Sequence, residues 1–237
     1  MNIALLIAGG SGNRMGQEIP KQFLTVYERP VIMYTLEVFQ RHPEVDVIAV
    51  VCIAGWESVL QAYANQFNIT KLGYIIPGGK NGQDSIRNGV YELEKHFTSE
   101  DVVLIHDAIR PMVSAEIISD CIRVTKEKGN AIAVIPCAEA MLQTEDGEMS
   151  VGSYPRNRLK RTQTPQGFHL GDICDLHRRA LKAGITNSIA SCTLKIEMGE
   201  KVYFSKGSEK NIKLTTVEDI DIFKALLMEK RADWLKG

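Results

Sequence analysis

The stretch Asn2-Ile3-Ala4-Leu5-Leu6-Ile7-Ala8 runs straight into Gly9-Gly10-Ser11-Gly12-Asn13-Arg14-Met15-Gly16. An almost wholly apolar run of this length reads as a strand buried on both faces, and such strands belong to parallel sheets covered by helices. Glycines directly after a first parallel strand let backbone N–H groups approach a phosphate or base, because no Cβ intervenes. A plain strand-to-helix turn is the structural alternative. Two familiar phosphate motifs do not fit. Counted from Gly10, the third glycine of a dinucleotide fingerprint falls on Met15. The chain's Gly-Lys pair, Gly79-Lys80, precedes Asn81 rather than the Ser or Thr of a P-loop. What sets this loop apart is its cations, Arg14 and then Lys21 in Pro20-Lys21-Gln22-Phe23. A planar guanidinium fork and a compact ammonium together suit a triphosphate.

Working outward, helical spacing at 31–41, 56–65, 83–95 and 115–128 alternates with apolar runs at 45–53, 74–76, 102–106 and 131–135. That alternation predicts a three-layer α/β fold with a mainly parallel sheet. The pattern breaks at Pro136. Residues 137–164 are polar and turn-rich, which predicts a protruding hairpin arm or a lid, and helix 172–183, strand 202–204 and helix 217–230 complete the chain. One domain over 1–237 with 137–164 inserted as an arm is the expected organisation. The charge balance of 28 basic and 29 acidic residues provides no global field for nucleic acid. No run approaches the roughly 18 apolar residues of a membrane helix. The start lacks the basic segment of a signal peptide, and five cysteines without a CxxC pair suggest reduced thiols in a cytoplasmic setting rather than a zinc site.

His106-Asp107 closes the strand at 102–106, the carboxyl edge where α/β ligands bind. A carboxylate there can hold Mg²⁺ or another divalent cation when substrate phosphates supply the remaining ligands. Helix capping is the weaker reading of Asp107, since the next helix begins near Ala115. His106 reads as a packed strand-end histidine. Arg110, stiffened by Pro111, is a candidate for an acceptor phosphate.

The combination A-G-G-x-G-x-R-M followed by P-K-Q-F resembles the signature of sugar-phosphate nucleotidyltransferases. Its P-K-Q-F form is similar to the cytidylyltransferases that act on 2-C-methyl-D-erythritol 4-phosphate or ribitol 5-phosphate. Gly78-Gly79 with Asp84-Ser85-Ile86-Arg87-Asn88-Gly89, His106-Asp107-Ala108-Ile109-Arg110-Pro111, Thr164-Pro165-Gln166-Gly167-Phe168 and Asn211-Ile212-Lys213-Leu214-Thr215 resemble further family motifs in the same order. The resemblance spans essentially the whole chain. It implies a Rossmann-like nucleotidyltransferase fold, CTP and a polyol phosphate as substrates, a divalent cation, and a homodimer in which the arm clasps a second chain. Ala8, Gly9, Gly10, Gly12, Gly79, Ser85 and Asp107 would bind CTP. Arg14, Lys21 and Lys213 would be the catalytic cations, the first two on the leaving pyrophosphate and Lys213 on the pentacoordinate phosphorus. Arg110, Arg156 and Thr164 would hold the acceptor phosphate, and Asp107 the metal.

Three departures from the family pattern concern the acceptor side and the base-recognition segment. Glu139-Ala140-Met141 stands where D-T-[ILM] is usual, and Gly82 replaces an expected arginine. T-D-x-[AC] falls on Ile189-Ala190-Ser191-Cys192, or in a shifted frame on Thr186-Asn187, and neither frame supplies the aspartate. An altered acceptor follows from these changes. A paralogue that binds nucleotide with weakened turnover is the alternative. The tail Gly207-Ser208-Glu209 leans toward the ribitol phosphate members.

Overall fold

The computed structural model describes residues 1–10 and 19–234. Its central sheet is built on β1 (Asn2–Ala8), and a small hairpin of β2 (Thr25–Val26) and β3 (Arg29–Pro30) leads into α1 (Val31–Arg41). β1 pairs in parallel with β4 (Val47–Cys52) on one side and β6 (Val102–Asp107) on the other. From β1 the chain passes through α1 to β4, and through α2 (Glu57–Gln66) to β5 (Leu72–Pro77) at the sheet's edge. It then crosses back over β1 through α3 (Gly82–Glu94) to reach β6. Strand order therefore reverses at β1, and a crevice opens at the carboxyl ends where neighbouring crossovers diverge.

Beyond β6 lie β10 (Lys160–His169), β7 (Asn130–Pro136) and β11 (Phe204–Lys206), giving seven strands in the order β11-β7-β10-β6-β1-β4-β5. β10 runs antiparallel to both its neighbours, while the other ladders are parallel, so the sheet is mainly parallel as expected. Alternate residues of β1 face opposite layers. Ala4 and Leu6 pack with Leu36 and Phe39 of α1 and with Ile118 of α4 (Ala115–Lys128). Ile3 and Leu5 pack with Val90 and Leu93 of α3 and Ile173 of α5 (Leu170–Lys182). A third, smaller cluster joins Val26, Val31, Ile109, Met112 and Leu214 to Phe223 of α7 (Val217–Trp234).

Several elements differ from the sequence reading. β10 begins inside the expected arm, so residues 160–164 belong to the main sheet, and the protruding hairpin is β8 (Met141–Gln143) paired with β9 (Gly152–Tyr154). β10 has no apolar alternation, and it carries Pro165 where the register against β7 shifts between Thr162 and Gln166. A bulge tolerates a proline that a regular central strand would not. Gly167 is required by packing, because a Cβ there would lie 2.1 Å from Thr125 Oγ1 of α4. α6 (Ser191–Glu197) has no counterpart in the sequence reading, being only seven residues long, and β11 lies two residues later than the expected strand at 202–204. Among the described residues no helix is long and apolar enough to cross a membrane.

Candidate active site

Registers place the loops of three strands on one level. Ala8 lies beside Cys52, and Cys52 beside Pro77, while Ile7 lies beside Asp107. Gly9, Gly78 and Ala108 therefore follow their strands on one level, and the two glycines line a cleft of about 730 Å³. The two glycine loops are packed back to back. A Cβ on Gly9 would come 3.0 Å from Ser85 Oγ, and one on Gly79 would come 2.4 Å from Asp84 Cβ. The Gly79 N–H donates to Ser85 Oγ at 3.0 Å, and Asn81 caps α3 by accepting the Asp84 N–H at 2.8 Å. Side chains are excluded here because the turn and the helix start occupy the space they would need. Ala8, Gly9, Gly10, Gly79 and Ser85 are thus brought to one edge of the cleft. Gly12 and Arg14 lie outside the described residues.

Lys21 lines the same cleft, at the start of a short 3-10 turn spanning Lys21–Phe23. Its neighbour Gln22 is buried and donates from Nε2 to the carbonyls of Ala8 at 2.7 Å and Gly10 at 3.2 Å. This carboxamide fastens the P-K-Q-F segment to the glycine loop, a role that the sequence reading did not assign. Phe23 stacks on Trp56 with centroids 4.6 Å apart and anchors the turn from below.

The far end of β6 carries the charged centre. Asp107 Oδ2 accepts from Arg110 Nε at 2.9 Å, and Oδ1 accepts from Lys213 Nζ at 3.1 Å. Burial alone would push this carboxyl up, but the Lys213 and Arg110 charges outweigh it and hold the group at about 2. Arg110 also donates from Nη1 to the Asn211 carbonyl at 2.8 Å. Asn211 is fully buried, and its Nδ2 donates to the Thr164 carbonyl at 2.8 Å, while the Leu214 N–H donates to the Ile109 carbonyl at 2.9 Å. The Lys213 segment is in this way tied to both β6 and β10. The sequence reading used only the lysine of N-I-K-L-T, and the asparagine is what places it.

His106 and Thr164 brace this turn. The Asp107 N–H donates to Thr164 Oγ1 at 3.0 Å, Thr164 Oγ1 lies 3.0 Å from His106 Nδ1, and His106 Nε2 lies 3.3 Å from the Arg110 carbonyl. A carbonyl only accepts, so Nε2 carries the hydrogen. His106 is fully buried, and that burial lowers its value to about 4, leaving the ring neutral near pH 7. Nδ1 therefore accepts the Thr164 hydroxyl proton. Thr164 reaches the cleft wall as expected, yet its hydroxyl proton is directed at His106, and its oxygen supports Asp107. Arg156 is elsewhere. It sits exposed on the 3-10 turn Arg156–Arg158 beyond β9, donates to the Ala138 carbonyl at 3.1 Å, and does not line the cleft of its own chain.

Among the described residues, four cations line the cleft (Lys21, Lys80, Arg110 and Lys213) against the single carboxylate of Asp107. A mainly parallel α/β sheet with paired glycine loops and a cationic crevice at its strand-order reversal defines a nucleotide-handling enzyme of the nucleotidyltransferase class. The comparison with known proteins agrees. The chain belongs to the 2-C-methyl-D-erythritol 4-phosphate cytidylyltransferase family, IspD, whose model matches residues 2–229. It is 41% identical to the ribitol-5-phosphate cytidylyltransferase of Lacticaseibacillus paracasei, over 97% of this chain and 99% of that protein. It is 36% identical to the 2-C-methyl-D-erythritol 4-phosphate cytidylyltransferase of Clostridium botulinum, over 95% of this chain and 97% of that one. The crystal structure of the 2-C-methyl-D-erythritol 4-phosphate cytidylyltransferase from Thermus thermophilus superposes with a TM-score of 0.75 at 25% identity, covering 95% of this chain and 98% of that one.

The Asp107 cluster has a pH signature. Its folded-state value of about 2 lies below the ordinary 3.8. The pairing therefore contributes stability above pH 4 that is lost as pH falls toward 2, on the order of 1–2 kcal/mol for a group this depressed. Urea midpoints measured from pH 4 down to pH 2 should fall more steeply for the wild type than for Asp107→Asn. Parallel slopes would show that the carboxylate is not held by these cations.

Proposed function

We propose that this protein transfers CMP from CTP to a small polyol phosphate, with ribitol 5-phosphate as its principal acceptor, and releases pyrophosphate. The observation that carries this reading is the Asp107–Arg110–Lys213 cluster facing the paired glycine loops across one cleft. An acceptor phosphate oxygen attacks the α-phosphorus of CTP; the new P–O bond forms as the bond to the β-phosphate bridge breaks, and the electron pair leaves with pyrophosphate. No covalent bond to the protein is needed, so positioning and charge stabilisation account for the rate. The glycine loops and Ser85 seat the nucleotide. Lys21 and Arg14 stabilise the leaving pyrophosphate, Lys213 the crowded phosphorus, and Arg110 the acceptor phosphate.

Asp107 is the residue that would hold Mg²⁺ or another divalent cation. Among the described residues no group of three metal-ligating side chains exists, and a single carboxylate fits an ion that takes most of its ligands from substrate phosphates. Such an ion would neutralise phosphate charge. The buried, unpaired thiols and a CTP donor fit action in the cytoplasm. The ribitol phosphate preference rests on the Lacticaseibacillus relative and on the acceptor-side departures at Ala140 and Ala190. A site with fewer polar partners discriminates less among hydroxyl arrangements, because strong rejection depends on polar groups that a wrong substrate leaves unpaired.

Pyrophosphate release, measured with each of four nucleoside triphosphates over a panel of polyol phosphates, tests this directly. CTP should be the donor, and ribitol 5-phosphate should be used alongside another four- or five-carbon polyol phosphate within about two decades of kcat/KM. Strict use of 2-C-methyl-D-erythritol 4-phosphate would overturn the acceptor assignment. Thermal stabilisation by CTP without turnover would favour the nucleotide-binding paralogue, for which the missing aspartate at Ala190 is the argument.

Lys21→Ala and Lys213→Ala should lower kcat far more than they raise the KM for CTP. Contacts that strengthen as charge develops contribute about 2–4 kcal/mol in comparable anion sites. Near-normal turnover in either variant would remove that residue from the mechanism.

The arm supports a homodimer. It leaves Met141, Leu142, Met149, Val151 and Tyr154 exposed along one hairpin, which is a large apolar surface for so small an element. It also carries Arg156 away from its own cleft, so Arg156 would serve the partner's acceptor site. Light scattering at micromolar concentration should give twice the chain mass. A monomeric mass would leave Arg156 without a substrate to bind.

A further inference from the structure

Ile189 and Ala190, from the connection between α5 and α6, and Ser191, the first residue of α6, line the cleft. Ile189 of this connection is 95% exposed, while Ser188 bonds Glu197 of α6 and the Ala190 N–H donates to Thr193 Oγ1 at 2.9 Å. Two buried carboxamides fix the connection from outside. Gln83, in the first turn of α3, donates from Nε2 to the Ile185 carbonyl at 2.8 Å and accepts the Ser188 N–H on Oε1 at 2.7 Å. Gln166 of β10 accepts the Cys192 N–H on Oε1 at 3.0 Å, with its Nε2 3.3 Å from Cys192 Sγ. Asn81 adds a bond from Nδ2 to the Thr186 carbonyl at 3.1 Å. A carboxamide presents a donor and an acceptor on one plane and so can satisfy both kinds of backbone group. In a buried setting such bonds persist, because breaking one leaves its partner without water or protein to bind. The connection is thereby tied at one end to the helix that carries Ser85 and at the other to the strand that carries Thr164.

Between these ties sits Ser191. It is buried and lines the cleft, and its hydroxyl has no hydrogen-bond partner among the described residues. Buried hydroxyls are satisfied in most folded proteins, and one without a protein partner beside a cleft can take its partner from a bound ligand. A hydroxyl can both donate and accept, and it carries no charge. That suits an alcohol group on a polyol chain better than a phosphate, which the cleft's cations already serve.

We infer that Ser191 contacts a hydroxyl of the acceptor's carbon chain, and that Gln83 and Gln166 are positioning residues that hold it there. This rests on the proposed polyol phosphate acceptor. This wall of the acceptor site is then an uncharged one, held in place by the backbone bonds of two side chains.

Steady-state kinetics with CTP and ribitol 5-phosphate separate the two substrates. Ser191→Ala should raise the KM for ribitol 5-phosphate about tenfold, the effect of one buried hydrogen bond, with the KM for CTP changed less than about twofold. Gln83→Met and Gln166→Met, which keep the side-chain length and remove the carboxamide, should give the same split, with smaller effects on kcat than on the acceptor KM. An unchanged acceptor KM in Ser191→Ala, or equal rises for both substrates, would overturn the inference. Wild-type turnover with ribitol 5-phosphate keeps the functional reading intact in either case. If the wild type shows no turnover, calorimetric titration of ribitol 5-phosphate into protein loaded with a non-hydrolysable CTP analogue still compares wild type with Ser191→Ala, and equal affinities would sink it. Should the glutamine variants fail to fold, Ser191→Ala alone decides.

Discussion

Everything at the reactive edge depends on one carboxylate being claimed from two sides. Asp107 takes Arg110 on one oxygen and Lys213 on the other, and those cations arrive from segments more than a hundred residues apart in the case of Lys213. Half-buried charges of one sign would be costly to gather in one crevice, and an anion between them removes most of that cost. The same pairing holds Asp107 ionised far below neutrality, so the centre is already charged and aligned before substrate arrives. In the proposed transfer, such preorganisation would let these cations stabilise the transition state without being moved into place at the moment of reaction.

The supports behind that carboxylate are polar and neutral, with His106 and Asn211 buried and Thr164 half-buried. His106, Thr164 and Asn211 form a continuous set of bonds around the turn from Asp107 to Arg110. A histidine in this position does not need to exchange protons to matter. Its neutral ring has one donor and one acceptor, and both are engaged, which fixes which way the threonine hydroxyl points. The division of labour is clear: charged groups face the cleft, and uncharged groups determine where they stand.

How far the sequence foretold this differs from one part to another. The strand-and-helix alternation, the carboxyl-edge location and the glycine loops were legible, because buried parallel strands are apolar on both faces and their following loops converge. Lys21, Asp107, Arg110 and Lys213 do gather in one cleft. β10 was not legible as a strand, since Lys160 to His169 mixes charges, a proline and a glycine, and its place in the sheet is set by pairing with β6 and β7 rather than by its own pattern. The carboxamides of Gln22, Gln83 and Gln166 were also out of reach. A glutamine that satisfies distant backbone groups carries no periodicity, and only the folded topology shows which carbonyls lie beside it. Thr164 lines the cleft, but the direction of its hydroxyl follows from His106, a contact that only the folded topology shows.

The small apolar cluster that joins Val26, Val31, Ile109, Met112, Leu214 and Phe223 draws on the beginning, the middle and the end of the chain. Leu214 follows Lys213 directly, so the lysine's position is underwritten by a helix that begins at Val217. On the ribosome, residues emerge from the amino end first and domains form as their segments become available. A nascent chain long enough to contain Asp107 and Arg110 therefore has an aspartate with only one of its two cations. Lys213 and the helix that backs it come after nearly all of the sheet, so products terminated before Lys213 would retain much of the sheet yet leave Asp107 with Arg110 alone.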